Sequence, residues 1–134
     1  MDASPNQYRT ALSRARGLGS AKQGVNRFIA ERGTAVALVP LSLWAVYAAL
    51  QVAPAGYVGA VVLLHSPITA VLAILLIAVS AAHMEMGMRV IVEDYVHTPF
   101  NKIALLLLNA GVCWLGGALG AFSILKVALL GAGA

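Results

Sequence analysis

The stretch that decides the fold is Ala82-His83-Met84-Glu85-Met86-Gly87-Met88-Arg89-Val90-Ile91-Val92-Glu93-Asp94-Tyr95. It closes an apolar run long enough to cross a bilayer, and it ends in charged residues. At about 100° per residue, His83 and Asp94 lie three helical turns plus roughly 20° apart, and Gly87 is about 40° from the same line. One helix face is therefore predicted to carry an imidazole, a gap without a side chain and, roughly 16 Å further along, a carboxylate beside the phenol of Tyr95.

The composition is that of a membrane protein. Of 134 residues, 60% are hydrophobic and 10% are charged, and the mean hydropathy is +0.86. Soluble domains carry about 25% charged residues, so there is no room here for a separate soluble domain. The single cysteine, Cys113, excludes a disulfide or a cysteine-based metal site within the chain. The N-terminal sequence is polar, and the first apolar run begins too late and is too long for a cleavable signal peptide, so none is predicted.

Three apolar segments follow a polar and basic N-terminal segment, which predicts an all-α integral membrane protein with three transmembrane helices. Residues 1–33 are predicted to form a cytoplasmic tail with an amphipathic interfacial segment, and residues 34–134 a three-helix transmembrane anchor. The spans are predicted at about 34–53, 67–95 and 103–125. A short connection over residues 55–66 and a turn over residues 96–102 are predicted to join them.

The basic residues predict the orientation of these spans. Six of the nine precede the first span, Arg89 and Lys102 lie at or near the second connection, and Lys126 alone lies on the other side. Eight against one fits the excess of Lys and Arg that marks the cytoplasmic side. The N-terminus and the Asp94–Tyr95 end of the second span are therefore predicted to be cytoplasmic, and the C-terminus to lie across the membrane.

His83 is an ionisable side chain inside a span, where its desolvation cost must be compensated. A neutral imidazole there could hydrogen-bond to another helix, or it could ligate a metal or haem. Gly87, one turn on, would leave room for a flat macrocycle, and with a single suitable histidine the second haem ligand would come from another chain. Met84, Met86 and Met88 fit soft packing better than axial ligation.

Asp94 and Tyr95 fall at the membrane interface, where a tyrosine can simply belong to the aromatic belt. A phenol also donates a hydrogen bond to a carbonyl, and a nearby carboxylate can tune it or pass protons. Both properties suit a quinone head group. Glu85, Arg89 and Glu93, spaced four residues apart on another face, are interpreted as a structural or partner-facing ladder whose charges compensate one another.

Two motifs resemble the D-type hydrophobic membrane-anchor family of succinate dehydrogenase (respiratory complex II, cytochrome b556 type). They are His83-x-x-x-Gly87-Met88-x-Val90-x-x-x-Asp94-Tyr95 and Gly24-Val25-x-x-Phe28-Ile29-x-x-Arg32-x-Thr34-Ala35. The resemblance covers about residues 24–95, and the third span matches in character only. It implies a subunit of the bacterial inner membrane, not catalytic alone, in a hetero-oligomeric helical bundle with a periplasmic C-terminus.

The resemblance also implies roles for individual residues. His83 would be an axial ligand of haem b, shared with a companion C-type cytochrome b anchor subunit, and Arg32 would contact a haem propionate. Tyr95 and Asp94 would belong to the ubiquinone site. The other partners would be an iron–sulfur subunit, a flavoprotein subunit and membrane lipid, and no nucleic acid is expected.

Two departures and two alternatives accompany this interpretation. Arg89 stands where family members often have Gln, and Asn26 stands where some have His, so no role of that His is transferred. One alternative is the corresponding anchor of a quinol:fumarate reductase, with electron flow reversed. The other is a haem-free transporter or assembly protein in which His83 and Asp94 relay protons.

Overall fold

A computed structural model describes residues 10–12 and 24–131. Between residues 24 and 131 the chain forms four α-helices: α1 (Gly24–Val52), α2 (Gly56–His65), α3 (Pro67–Tyr95) and α4 (Pro99–Leu130). Helices α1, α3 and α4 are each long and apolar enough to cross a membrane. The prediction of an all-α protein with three membrane-spanning helices is therefore confirmed.

Helix α1 begins ten residues before the predicted first span and contains 29 residues, with Pro40 inside it. At about 1.5 Å per residue, 29 residues extend roughly 43 Å, which exceeds the hydrocarbon core of about 30 Å. The amphipathic residues 25–32 thus continue into the span as one helix. The helix is long enough for its first turns to lie in the head-group region on the side predicted to be cytoplasmic.

The connection predicted over residues 55–66 contains the helix α2. Pro54 precedes it, and Gly56 has a φ of +58°, a conformation that glycine adopts without steric cost. With ten residues α2 is too short to span a bilayer. It packs against α1, α3 and α4, and it caps the end of the bundle furthest from Tyr95.

Helix α3 is the centre of the bundle, with α1 on one side and α4 on the other. Within residues 24–131, no Cα atom of α1 comes within 8 Å of a Cα atom of α4. Pro67 and Pro99 stand at the first turns of α3 and α4, where a missing N–H removes no intrahelical hydrogen bond. Helices α1 and α4 therefore each pack against α3 and not against each other.

Two glycines allow α4 to lie close to α3. A Cβ atom added to Gly117 would lie 3.1 Å from the Cβ atom of Ala81, and one added to Gly120 would lie 3.0 Å from Cδ1 of Ile77. Small residues permit this kind of approach between membrane helices. An added Cβ atom on Gly116 meets no atom within 4 Å, so the contact uses Gly117 and Gly120 rather than the Gly116–Gly120 pair.

Candidate functional site

His83 faces α1 and is half-buried. Its Nδ1 atom lies 3.0 Å from the Oγ1 atom of Thr34, and the same hydroxyl donates to the backbone oxygen of Glu31 at 2.9 Å. Within residues 24–131 the other ring nitrogen of His83, Nε2, has no hydrogen-bond partner. One nitrogen is therefore tied to a neighbouring helix, while the other has its bonding capacity free.

Open space lies next to His83 on the same helix face. Gly87 follows one turn later, and a Cβ atom added there would meet no atom within 4 Å. The predicted gap is thus present as a surface without side chain between two turns of α3. An imidazole with a free nitrogen beside such a gap is suited to hold a flat ligand against the helix.

Thr34 belongs to a line of α1 residues that faces α3. Arg27, Glu31 and Thr34 are spaced four and three residues apart, so they share one helix face. We call this face and the α3 surface opposite it the α1–α3 seam. The seam contains a cavity of about 240 Å³. The cavity is lined by Arg27, Glu31, Glu85, Met86, Arg89 and Val90.

The predicted ladder divides into two ion pairs with different partners. Glu85 is buried, with 7% of its surface exposed, and Arg89 Nε donates to its Oε1 atom at 3.0 Å, with a second contact from Nη2. Glu93 instead pairs with Arg27 of α1, whose Nη1 atom is 3.1 Å from Oε2. A buried carboxylate requires such a partner, so the Glu85–Arg89 ion pair has a structural role. The Glu93–Arg27 ion pair joins α3 to α1.

Asp94 and Tyr95 occupy the last turn of α3, and both are exposed, Tyr95 to 79%. Neither side chain has a hydrogen bond or an ion pair within the described part of the chain. The backbone beneath them is held from both sides: Glu93 binds Arg27 of α1, and its carbonyl oxygen accepts a hydrogen bond from Lys102 Nζ at 2.7 Å. The pair is thus accessible but rests on an anchored helix end.

Arg32 lies apart from the α1–α3 seam. It is exposed, and its guanidinium carbon is 5.3 Å from the centroid of the Phe28 ring, a cation–π distance. Two residues correspond to about 200° around a helix, so Arg32 and Thr34 point in opposite directions from α1. Of the four predicted site residues, His83 lies inside the bundle, and Arg32, Asp94 and Tyr95 are exposed.

The contact between Thr34 and His83 is the feature that sequence reasoning missed. Both residues stand in the quoted motifs, yet the pairing joins positions 49 residues apart. It depends on where α1 crosses α3, which no local pattern reports. A threonine within a predicted span, where every polar group needs a partner, was the available signal.

Comparisons with known proteins add the following. The chain matches the family model described as "Succinate dehydrogenase/Fumarate reductase transmembrane subunit" over residues 6–119. It is 32% identical over 103 residues to the succinate dehydrogenase hydrophobic membrane anchor subunit of Rickettsia bellii (strain RML369-C), covering 77% of this chain and 81% of the relative.

A second relative carries the same description, in Rickettsia conorii (strain ATCC VR-613 / Malish 7). It is 29% identical over 91 residues, covering 66% of this chain and 71% of the relative. No solved structure matches the chain. All four predicted site residues, Arg32, His83, Asp94 and Tyr95, fall within the range that the family model matches.

Proposed function

Because the chain belongs to the succinate dehydrogenase/fumarate reductase transmembrane subunit family, we propose that it anchors a succinate dehydrogenase in the membrane and contributes to its haem b and ubiquinone sites. Its assignment as a multi-pass hydrophobic membrane anchor is confirmed by the family match, by both relatives and by three apolar helices. The sites and partners are the proposal. The observation that carries it is the half-buried His83 with a free Nε2 atom beside open space at Gly87.

His83 would hold the haem through Nε2. Haem b, when bound, would accept and release a single electron. The described chain has no second histidine inside a span, since His65 is the last residue of α2 and His97 lies in the turn after α3. A second histidine to hold the haem would therefore come from the companion C-type anchor subunit. Arg32, whose exposed guanidinium suits a carboxylate, would contact a propionate.

Asp94 and Tyr95 would form this chain's share of the ubiquinone site. The hydroxyl of Tyr95 would donate to a quinone carbonyl, and Asp94 would orient or protonate through it. Their exposure supports a site completed by other chains. The positive-inside pattern predicts that this end of α3 is cytoplasmic, and there an iron–sulfur subunit and a flavoprotein subunit would supply the electrons.

The two alternatives differ in what supports them. The family model covers succinate dehydrogenase and fumarate reductase together, whereas both relatives are described as succinate dehydrogenase anchors. The relatives thus favour succinate oxidation over reversed flow. The same family membership favours an anchor over a haem-free transporter, for which His83 and Asp94 would have to exchange protons over roughly 16 Å of helix.

The test of the haem proposal is His83→Ala, compared with His65→Ala in the purified complex. Loss of the imidazole removes one of two axial bonds, so we expect the reduced b-type absorption bands per complex to fall to a tenth or less. His65→Ala changes an exposed histidine at the far end of the bundle and should leave the bands unchanged. An unaltered spectrum in His83→Ala would reject His83 as a ligand.

A further inference from the structure

We propose that Thr34 is a positioning residue for His83: its hydroxyl selects the ring nitrogen that carries the proton and fixes the orientation of the imidazole toward the haem. The inference rests on the proposed function, because it assumes that His83 ligates haem. It goes beyond that function by assigning to α1 a role in the electronic properties of the site.

The hydrogen-bond geometry assigns the proton. A threonine hydroxyl has one proton, and a backbone carbonyl can only accept. Thr34 donates its proton to the carbonyl oxygen of Glu31 at 2.9 Å. At 3.0 Å from His83 Nδ1 the same oxygen can then only accept. In this arrangement Nδ1 of His83 carries the ring proton, and Nε2 presents the lone pair that the proposed haem ligation requires.

The side chain of Thr34 is itself fixed. In a helix, threonine selects between two χ1 rotamers, and a bond from Oγ1 to the carbonyl three or four residues earlier holds one of them. The bond to Glu31 is of this kind. Thr34 and His83 are both half-buried between two helices long and apolar enough to cross a membrane, and a hydrogen bond that is shielded from solvent is stronger than one in water. The acceptor presented to Nδ1 is thus preformed by α1.

A hydrogen bond of this kind acts on the opposite nitrogen. Histidines that bind metals usually donate their other N–H to a neighbouring acceptor, which fixes the tautomer, orients the ring and raises the basicity of the ligating nitrogen. Removing such a partner costs 10–100-fold in metal affinity in typical cases. A more basic Nε2 stabilises the ferric state, so loss of the Thr34 acceptor should raise the haem midpoint potential.

The experiment compares Thr34→Val, Thr34→Ser and Ser42→Ala in the intact, purified complex. Thr34→Val keeps the shape but removes the acceptor, and Thr34→Ser keeps the hydroxyl. Ser42→Ala removes another hydroxyl of α1 that bonds only to backbone carbonyls of its own helix. The readouts are the rate of haem transfer to apomyoglobin, the haem midpoint potential and the electron paramagnetic resonance spectrum of the ferric haem.

We expect Thr34→Val to release haem about tenfold faster or more, with a raised midpoint potential and shifted ferric resonances. Thr34→Ser and Ser42→Ala should match the parent in all three. Parent-like behaviour of Thr34→Val would overturn the proposal, and so would equal defects in Thr34→Val and Thr34→Ser, because the hydroxyl retained in Thr34→Ser would then fail to preserve the site.

Two further outcomes separate assembly and ligation from positioning. If Thr34→Val does not assemble, the smaller Thr34→Ala takes its place. Failure of both, with an intact Thr34→Ser whose haem loss and potential differ from the parent, would overturn positioning in favour of a structural role. Retention of haem in His83→Ala would reject the ligand itself. Loss of haem there, with a parent-like Thr34→Val, would reject only the role of Thr34.

Discussion

At the scale of single residues, Tyr95 has an exposed side chain on a backbone that is held in place by neighbouring helices. Its side chain is 79% exposed, while the preceding turn is held by the Glu93 contacts with Arg27 and Lys102. The phenol makes no hydrogen bond within the part of the chain that the structure describes. Its hydrogen-bonding capacity is therefore available to a ligand or to another subunit.

The variant Tyr95→Phe tests that capacity in the purified complex. A lost hydrogen bond of about 1–1.5 kcal/mol corresponds to roughly tenfold in affinity or rate, so we expect kcat/KM for ubiquinone to fall about tenfold. Succinate oxidation measured with an artificial dye should stay unchanged. Tyr57→Phe alters an exposed tyrosine at the other end of the bundle and serves as the control. Equal loss with quinone and dye would indicate an assembly role.

The sequence predicted the candidate functional residues but not all of their hydrogen-bond and ion-pair partners. The helical period put His83, Gly87 and Asp94 on one face, because that relation is internal to α3. It paired Glu93 with Arg89 for the same reason, whereas the structure pairs Glu93 with Arg27, 66 residues away. Contacts between helices depend on where the helices cross, and the residue periodicity within one helix does not predict this.

At the scale of elements, the contact between α3 and α4 depends on specific glycines. The Ala81 Cβ atom that faces Gly117 is fixed to the backbone, so a new methyl group at Gly117 can be accommodated only if the helices separate. The Ile77 atom that faces Gly120 ends a flexible side chain and can move aside. Gly117 is therefore the more restrictive of the two positions.

Gly117→Ala and Gly116→Ala form a matched pair for this contact. Both gain about 1 kcal/mol of helix propensity over glycine, but only Gly117→Ala adds an overpacking cost of about 1–3 kcal/mol. We expect Gly117→Ala to be the less stable of the two by that cost, measured by thermal unfolding of the purified complex in detergent. Identical unfolding temperatures would show that α3 and α4 can move apart freely.

Element boundaries were predictable where the chain marks them. Pro67 begins α3 as the predicted first-turn proline, whereas Pro99 begins α4 inside the stretch predicted to be a turn. The segment that forms α2 was predicted only as a short connection, and its ten residues are too few to span a bilayer. Its packing against three other helices, which makes it helical, is a tertiary effect.

At the scale of the whole molecule, the charge distribution predicts how the bundle sits in the membrane. Eight of nine basic residues lie before α1, in its first turns or near the turn between α3 and α4. The Arg27–Glu93 pair and Lys102 meet at that same end, so charge compensation and the positive-inside pattern coincide there. The opposite end, with α2, has only Lys126 among its basic residues.

Alkaline phosphatase fusions test this orientation in bacterial cells. The reporter needs disulfides, which form in the periplasm and not in the cytosol. We expect high activity when it follows Gly131 and background activity when it follows Thr98, in the turn between α3 and α4. Green fluorescent protein fusions at the same positions should give the opposite pattern. The reverse activities would place Asp94 and Tyr95 on the periplasmic side.

The polar partners of α1 lie far along the chain, which has a consequence for biogenesis. Arg27 and Thr34 are synthesised first, but Glu93 and His83 follow 66 and 49 residues later. Helices α3 and α4, joined by a short turn, make local contacts that form early. Until α3 has been synthesised, α1 lacks these polar partners, so the Arg27–Glu93 and Thr34–His83 contacts can form only afterwards. The contact between the Thr34 hydroxyl and the His83 imidazole therefore belongs to the later part of folding.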